Sequence, residues 1–178
     1  MSVKQGLAYA GIGARATPPE VRRLMTRIAE RLGQLGYTLR TGGADGADQA
    51  FLEGALKADT PVELYLPARR HKGHTQERYG NKVRVSSSIP DAAFELARAQ
   101  HPAWDRLSDF VRRLHARNAQ ILMGKNLDDP VRFVIAWTKD GKVVGGTGMS
   151  IRIARAQGIP VVNLFDDGAL EEIARLLR

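Results

Sequence analysis

The sequence of 178 residues contains no cysteine, which excludes disulfides and thiolate-bound metals. Its four histidines, His71, His74, His101 and His115, are irregularly spaced, and no metal site is expected from them. Aromatic residues make up only 6% against 43% hydrophobic overall, so the core must be built mainly of aliphatic side chains. No run approaches the roughly 20 apolar residues that a membrane-spanning helix needs. The start, Met1 to Gly6, also lacks the long apolar segment of a secretory signal. The expectation is a cytosolic protein with no membrane partner. Acidic residues are outnumbered, with 19 Asp and Glu against 27 Lys and Arg and a formal charge of +8. That balance favours anionic partners such as nucleotides or nucleic acid.

The length fits one domain, residues 1–178, with no linker or low-complexity tract. Leu7 to Ala10 is a short apolar run ending at Gly11-Ile12-Gly13, which reads as a buried strand entering a turn. Thr17-Pro18-Pro19-Glu20 then offers a capping hydroxyl, a first-turn proline and an acid three positions on. Val21, Leu24, Ile28, Leu32 and Leu35 follow at helical spacing until Gly36 stops the helix. The pattern repeats, with a strand at 37–40, a glycine-rich turn at 41–46 and a helix over about 47–58. A third strand is expected at 62–66.

Residues 67–103 are broken by proline and glycine and read as irregular, with a short helix near 91–98. A long helix is expected from Trp104, carried by Leu107, Val111, Leu114 and Ile121. Val131 to Trp137 is the best central-strand candidate. It leads to a third glycine cluster, Gly145 to Gly148, with a helix beginning there. A strand at 161–164 and a terminal helix close the chain. Such alternation predicts an α/β fold of Rossmann-like, three-layer α/β/α architecture with a mostly parallel sheet.

In a parallel sheet the three glycine-rich turns should gather at the carboxyl edge, where ligands bind. Free amides and the positive ends of helix dipoles stabilise phosphate there. Gly11-x-Gly13-x-x-Ala16 matches a dinucleotide fingerprint, but the second strand ends Leu39-Arg40-Thr41-Gly42 without the acid that would hold a ribose. An NAD dehydrogenase therefore ranks low, and the absence of G-x-x-x-x-G-K-[ST] argues against a P-loop ATPase.

Gly13-Ala14-Arg15 and Thr41-Gly42-Gly43-Ala44-Asp45-Gly46-Ala47-Asp48 resemble the G-S-R and S-G-x-A-x-G-I-D segments of the DNA-processing protein A (Smf) family. With Gly145-Gly146-Thr147-Gly148, the likeness covers most of the chain and extends to the SLOG superfamily, including small DprA-like proteins often found in phages. The resemblance implies binding of a nucleotide, a nucleotide-derived signal or single-stranded DNA. A branch of the superfamily releases bases from nucleoside monophosphates, and homo-oligomers recur in it. The implied ligand site comprises Gly11, Gly13, Arg15, Thr41, Gly42, Gly43, Gly46, Gly145, Gly146, Thr147 and Gly148. Arg15 is either a phosphate clamp or a surface residue, and Asp48 bonds a ribose hydroxyl, braces the turn or complements a helix dipole.

The base-releasing branch carries P-G-G-x-G-T-x-x-E, whereas Met149 and Arg152 stand here at the Thr and Glu positions. Without that glutamate, catalysis would need Asp45, Asp48 or Glu53 as a substitute. Asn118 interrupts the apolar face of the long helix, so its amide needs a partner, either backbone or ligand. Arg117 is expected on the exposed side. Trp137 and Thr138 end the central strand near the third cluster, where the indole either packs in the core or stacks on a base. Arg69, Arg70 and Lys72 lie in the densest basic stretch, which either is solvated loop charge or tracks a polyanion. His71 and His74 are expected at the surface. Nucleotide binding is the first reading, a nucleotide N-glycosidase or phosphoribohydrolase the second, and DprA-like binding of single-stranded DNA the third.

Overall fold

The computed structural model describes residues 6–178, so residues 1–5, part of the stretch read above for a signal, lie outside it. The five expected strands and one unexpected one, β4, form a single sheet: β1 (Ala8–Gly11), β2 (Thr38–Thr41), β3 (Val62–Tyr65), β4 (Val83–Ser86), β5 (Val134–Ala136) and β6 (Val161–Asn163). Every pairing is parallel, and the order is β4-β3-β2-β1-β5-β6. Helices α1 (Pro19–Gln34), α2 (Ala47–Lys57), α3 (Gln76–Tyr79), α4 (Asp91–Ala99), α5 (Asp109–Met123), α6 (Gly145–Ala156) and α7 (Ala169–Leu176) connect and follow the strands.

Parallel neighbours need right-handed crossovers, so the direction in which the chain moves along the sheet decides the face each helix covers. Moving outward from β1 to β3 puts α1 and α2 on one face, where Met25, Ala29, Leu32, Phe51 and Ala55 pack with Tyr9 and Leu39. Ala169 and Ile173 of α7 join that cluster. The chain then returns over the opposite face through α4, α5 and α6, burying Ala97, Ile121, Leu122, Met149 and Ile153 against Ala8, Ala10, Val134 and Ala136. Adjacent strand residues thus serve opposite cores, as the two-residue period of a strand requires.

The α1 boundaries rest on local chemistry. Thr17 was expected to cap the helix, but its Oγ1 donates to the carbonyl of Ala14 at 2.6 Å instead, and Pro18 takes the cap position without a side-chain bond. At the far end Gly36 adopts φ +88° while the Tyr37 amide donates back to Leu32 at 3.0 Å, a glycine-terminated stop as expected. The long helix also starts later than its sequence signal. Trp104 to Arg106 form a separate 3-10 turn, and Ser108 Oγ accepts from the Val111 amide to open α5.

Residues 67–103 are more ordered than their punctuation implies. They hold α3, the edge strand β4 and α4, the last close to the expected short helix. The β4 strand pairs with β3 from Val62↔Val83 to Tyr65↔Ser86.

Candidate functional site

The sheet changes direction between β1 and β5, adjacent strands whose chains leave to opposite faces, β1 into α1 and β5 into α6. Open α/β sheets hold ligands outside the carboxyl ends of strands at such a switch. Here a cavity of about 480 Å³ lies at that point. The turn after β1 contributes Gly13, Ala14 and Arg15, the turn after β2 contributes Ala44 and the start of α2 Asp48, and the segment after β5 contributes Thr138, Lys139 and Lys142. Gly145, Gly146 and Thr147 open α6 along the same wall, and Val111, Leu114, His115, Arg117 and Asn118 of α5 form another.

The expected site residues therefore divide into two groups. Gly13, Arg15, Asp48, Asn118, Thr138, Gly145, Gly146 and Thr147 line the cavity. Gly11, Thr41, Gly42, Gly43, Trp137 and Gly148 do not line it but shape the turns around it, and Gly46 lines the separate groove between α1 and α2. Gly11 packs on the Phe51 ring, and its carbonyl accepts from Thr41 Oγ1 at 2.7 Å. The Trp137 ring is buried in the core while its carbonyl accepts the Ala14 amide at 3.2 Å, tying the β1 and β5 turns together. Gly148 lies against the Val143 backbone. Gly145 and Gly146 differ from all of these, because a Cβ at either would meet no protein atom within 4 Å. The first turn also departs from the dinucleotide pattern, since Ala16 is exposed and α1 opens only at Pro19.

Two side chains hold the second turn from within. The buried Asp48 accepts from the amides of Gly42 and Ala44, each at 3.2 Å through Oδ2. Burial pushes its carboxyl up to about 6, against the opposing pull of Arg117 and of the amides of Ala44, Gly42 and Gly13. Arg117, expected on the exposed side, is buried: α5 crosses the carboxyl ends of β2 and β3, whose free carbonyls need donors. Its Nη1 donates to Gly42 O at 2.6 Å and Tyr65 O at 2.8 Å, and its Nε donates to Asn118 Oδ1 at 2.8 Å. The partner that Asn118 needs is therefore its own neighbour.

His74 was also expected at the surface and is buried. Its Nε2 bonds the Gly43 carbonyl at 2.9 Å and its Nδ1 meets Tyr79 Oη at 2.6 Å. A carbonyl only accepts, so Nε2 carries the proton and Nδ1 accepts from the tyrosine. The β3 segment thereby braces the second turn, helped by an ion pair between Lys72 and Asp45. Arg69 and Arg70 remain exposed. On the α6 side, Asn163 donates through Nδ2 to Thr138 Oγ1 at 2.7 Å and fixes it at the cavity floor.

The cavity is strongly cationic: Arg15, Arg117, Lys139 and Lys142 line it against the single carboxylate of Asp48. His115 adds no charge at neutral pH, because burial and then the charges of His101 and Arg152 hold its imidazole down to about 4. Glu53 lies elsewhere, in the groove between α1 and α2, where it pairs with Lys57 at 3.3 Å. Arg152, at the position of the missing glutamate, donates to the Gln100 and Val143 carbonyls at 3.3 and 3.4 Å. Among the lining residues, then, the only carboxylate is committed to backbone amides.

These features define a Rossmann-like α/β protein with a cation-lined crevice at the switch point of its sheet. The same fold occurs in DNA processing protein A from Streptococcus pneumoniae, with a TM-score of 0.57 and 16% identity over 97% of this chain and 57% of that one. It also occurs in the Moco carrier protein of Chlamydomonas, with a TM-score of 0.52 and 16% identity over 98% of this chain and 84% of that one. The likeness read from the glycine turns is thus matched at the level of the fold. No family model and no curated protein matches the sequence. No helix among the described residues is long and apolar enough to cross a membrane.

Proposed function

We propose that the protein binds a nucleotide or nucleotide-derived small molecule, with its phosphate over Gly145 and Gly146 at the amino end of α6. The observation that carries this reading is the convergence of three glycine turns on one cavity with four cationic side chains and one carboxylate. The amides opening a helix and its dipole favour an anion at that spot. Open space over the two glycines lets a phosphate reach the backbone. Arg15, Lys139 and Lys142 supply mobile positive charge around it, and Arg117 supplies fixed charge beneath.

The reading is of binding rather than catalysis, because Asp48 braces the second turn and Glu53 belongs to another groove. Incubation with nucleoside monophosphates should release no base. Calorimetry with a panel of nucleoside mono- and diphosphates should give saturable one-to-one binding, and a flat response across the whole panel overturns the proposal.

The exposed Arg69 and Arg70 favour a second reading in which single-stranded DNA runs from the cavity across the segment after β3. Lys72 contributes less to it, being paired with Asp45. A polymer contacting several phosphates loses affinity steeply with salt. Oligonucleotide affinity that barely changes with salt, or that survives Arg69→Glu with Arg70→Glu, removes this reading.

A further inference from the structure

We infer that Phe110 and His71 form a stacking subsite for a planar heteroaromatic ring at the mouth of the cavity, so that its ligand is a mononucleotide held at both ends. This inference rests on the phosphate reading above and adds where the base goes. The wall formed by α5 is one helical stripe, Val111, Leu114, His115 and Asn118. Phe110 continues that stripe, lying four residues before Leu114 and therefore on the same face. Its ring is 47% exposed, one of few large apolar side chains left open to solvent.

The neighbouring loop brings a second ring to the same place. Arg113 Nε donates to the Pro67 carbonyl at 2.6 Å and fastens the segment after β3 to α5. The segment then folds back at Lys72 and Gly73, with the His74 amide donating to His71 O at 3.0 Å. This places the His71 ring 6.0 Å from Phe110, tilted by 45°. Burial, and then the charges of Arg117, Lys72, His74 and Arg15, hold the His71 imidazole down. The two rings are tilted rather than stacked, leaving the outer face of Phe110 free. Phe110 adjoins Val111, the first α5 residue of the cavity wall, so the two rings border the site. The cavity supplies cations, and Phe110 and His71 supply aromatic surface beside it, which matches a phosphate joined through a sugar to a base.

The test compares AMP, CMP and ribose 5-phosphate by calorimetry on the full chain and on Phe110→Ala and Phe110→Tyr. The wild type should bind AMP about ten-fold or more tightly than ribose 5-phosphate, since stacking is sequence-tolerant but needs a π-face. Phe110→Ala should remove that margin and leave ribose 5-phosphate unchanged, and Phe110→Tyr should keep it. Equal binding of AMP and ribose 5-phosphate by the wild type, or an unaltered AMP margin in Phe110→Ala, overturns the subsite while leaving the phosphate reading intact. Binding of none of the three overturns both.

Discussion

Asp48 and Arg117 grip the same residue from opposite sides: the Asp48 carboxylate accepts the Gly42 amide at 3.2 Å, and the Arg117 guanidinium donates to the Gly42 carbonyl at 2.6 Å. The second glycine turn is thus fixed in both of its hydrogen-bonding directions by side chains that reach it from α2 and α5. Both side chains are buried and of opposite charge, so each offsets part of the other's desolvation.

Removing the cation should therefore expose a double cost. Arg117→Met leaves the Gly42 and Tyr65 carbonyls without that donor and Asp48 without its counter-charge. Buried carbonyls left unsatisfied, together with a buried carboxylate left uncompensated, cost about 3–5 kcal/mol. Urea denaturation should show a loss in that range for Arg117→Met. Arg117→Lys, which keeps the charge but loses the planar fork, should lose less. Equal stability of wild type and Arg117→Met would contradict the described role.

The carboxyl of Asp48 sets a pH dependence whose sign is opposite to that of an ordinary ion-paired acid. Its folded value of about 6 lies above the ordinary 3.8, so the native state holds the proton more tightly than the unfolded chain. The stability it contributes is complete below about pH 4 and is lost as pH rises through 6, by about 3 kcal/mol in total. Carbon-detected NMR of the Asp48 carboxyl should give a midpoint near 6. In Arg117→Met that midpoint should move higher, because Arg117 pulls it down. A midpoint near 4 in the wild type would contradict the burial argument.

The turns were legible in the sequence because their signals are local. Glycine after a short apolar run marks the end of β1, the Gly42-Gly43 pair marks the end of β2, and α1 stops at Gly36 where the glycine stands. Asn118 stood out because it breaks an apolar stripe. Arg117 did not, since one residue along a helix points to another face, and only the crossing of α5 over the ends of β2 and β3 decides that this face is buried. His74 was hidden for the same reason: nothing nearby in sequence announces that its ring meets Gly43, 31 positions earlier. The β4 strand was missed because Val83-Arg84-Val85-Ser86 is short and lies at a sheet edge, where polar residues replace the continuous apolar run of a central strand.

His74 links that overlooked segment to the site, and its removal should loosen the second turn without touching the third. His74→Ala deletes the bonds to Gly43 O and Tyr79 Oη, at about 1–3 kcal/mol for buried groups left unsatisfied. Tyr79→Phe removes only the outer bond and should cost less. Hydrogen exchange should accelerate at the second turn and around residues 71–75 in His74→Ala and stay unchanged at Gly145 to Gly148.

Gly46 and Gly146 should separate stability from binding. Gly46 sits at φ +81°, and a Cβ there would lie 2.5 Å from the Arg15 carbonyl oxygen, a backbone atom that has no rotamer to escape into. Gly46→Ala combines left-handed strain with that overlap and should lose at least 1–2 kcal/mol, roughly. Gly146 has no such φ, and its Cβ would meet nothing within 4 Å. Alanine there also restricts the unfolded chain and suits a helix, so Gly146→Ala should be neutral or gain up to about 1 kcal/mol. The same methyl would occupy the space proposed for the phosphate and should weaken nucleoside monophosphate binding at least ten-fold. Thermal unfolding and calorimetry on the two variants should therefore rank them in opposite orders. If Gly146→Ala binds as tightly as the wild type, the phosphate does not lie over the start of α6.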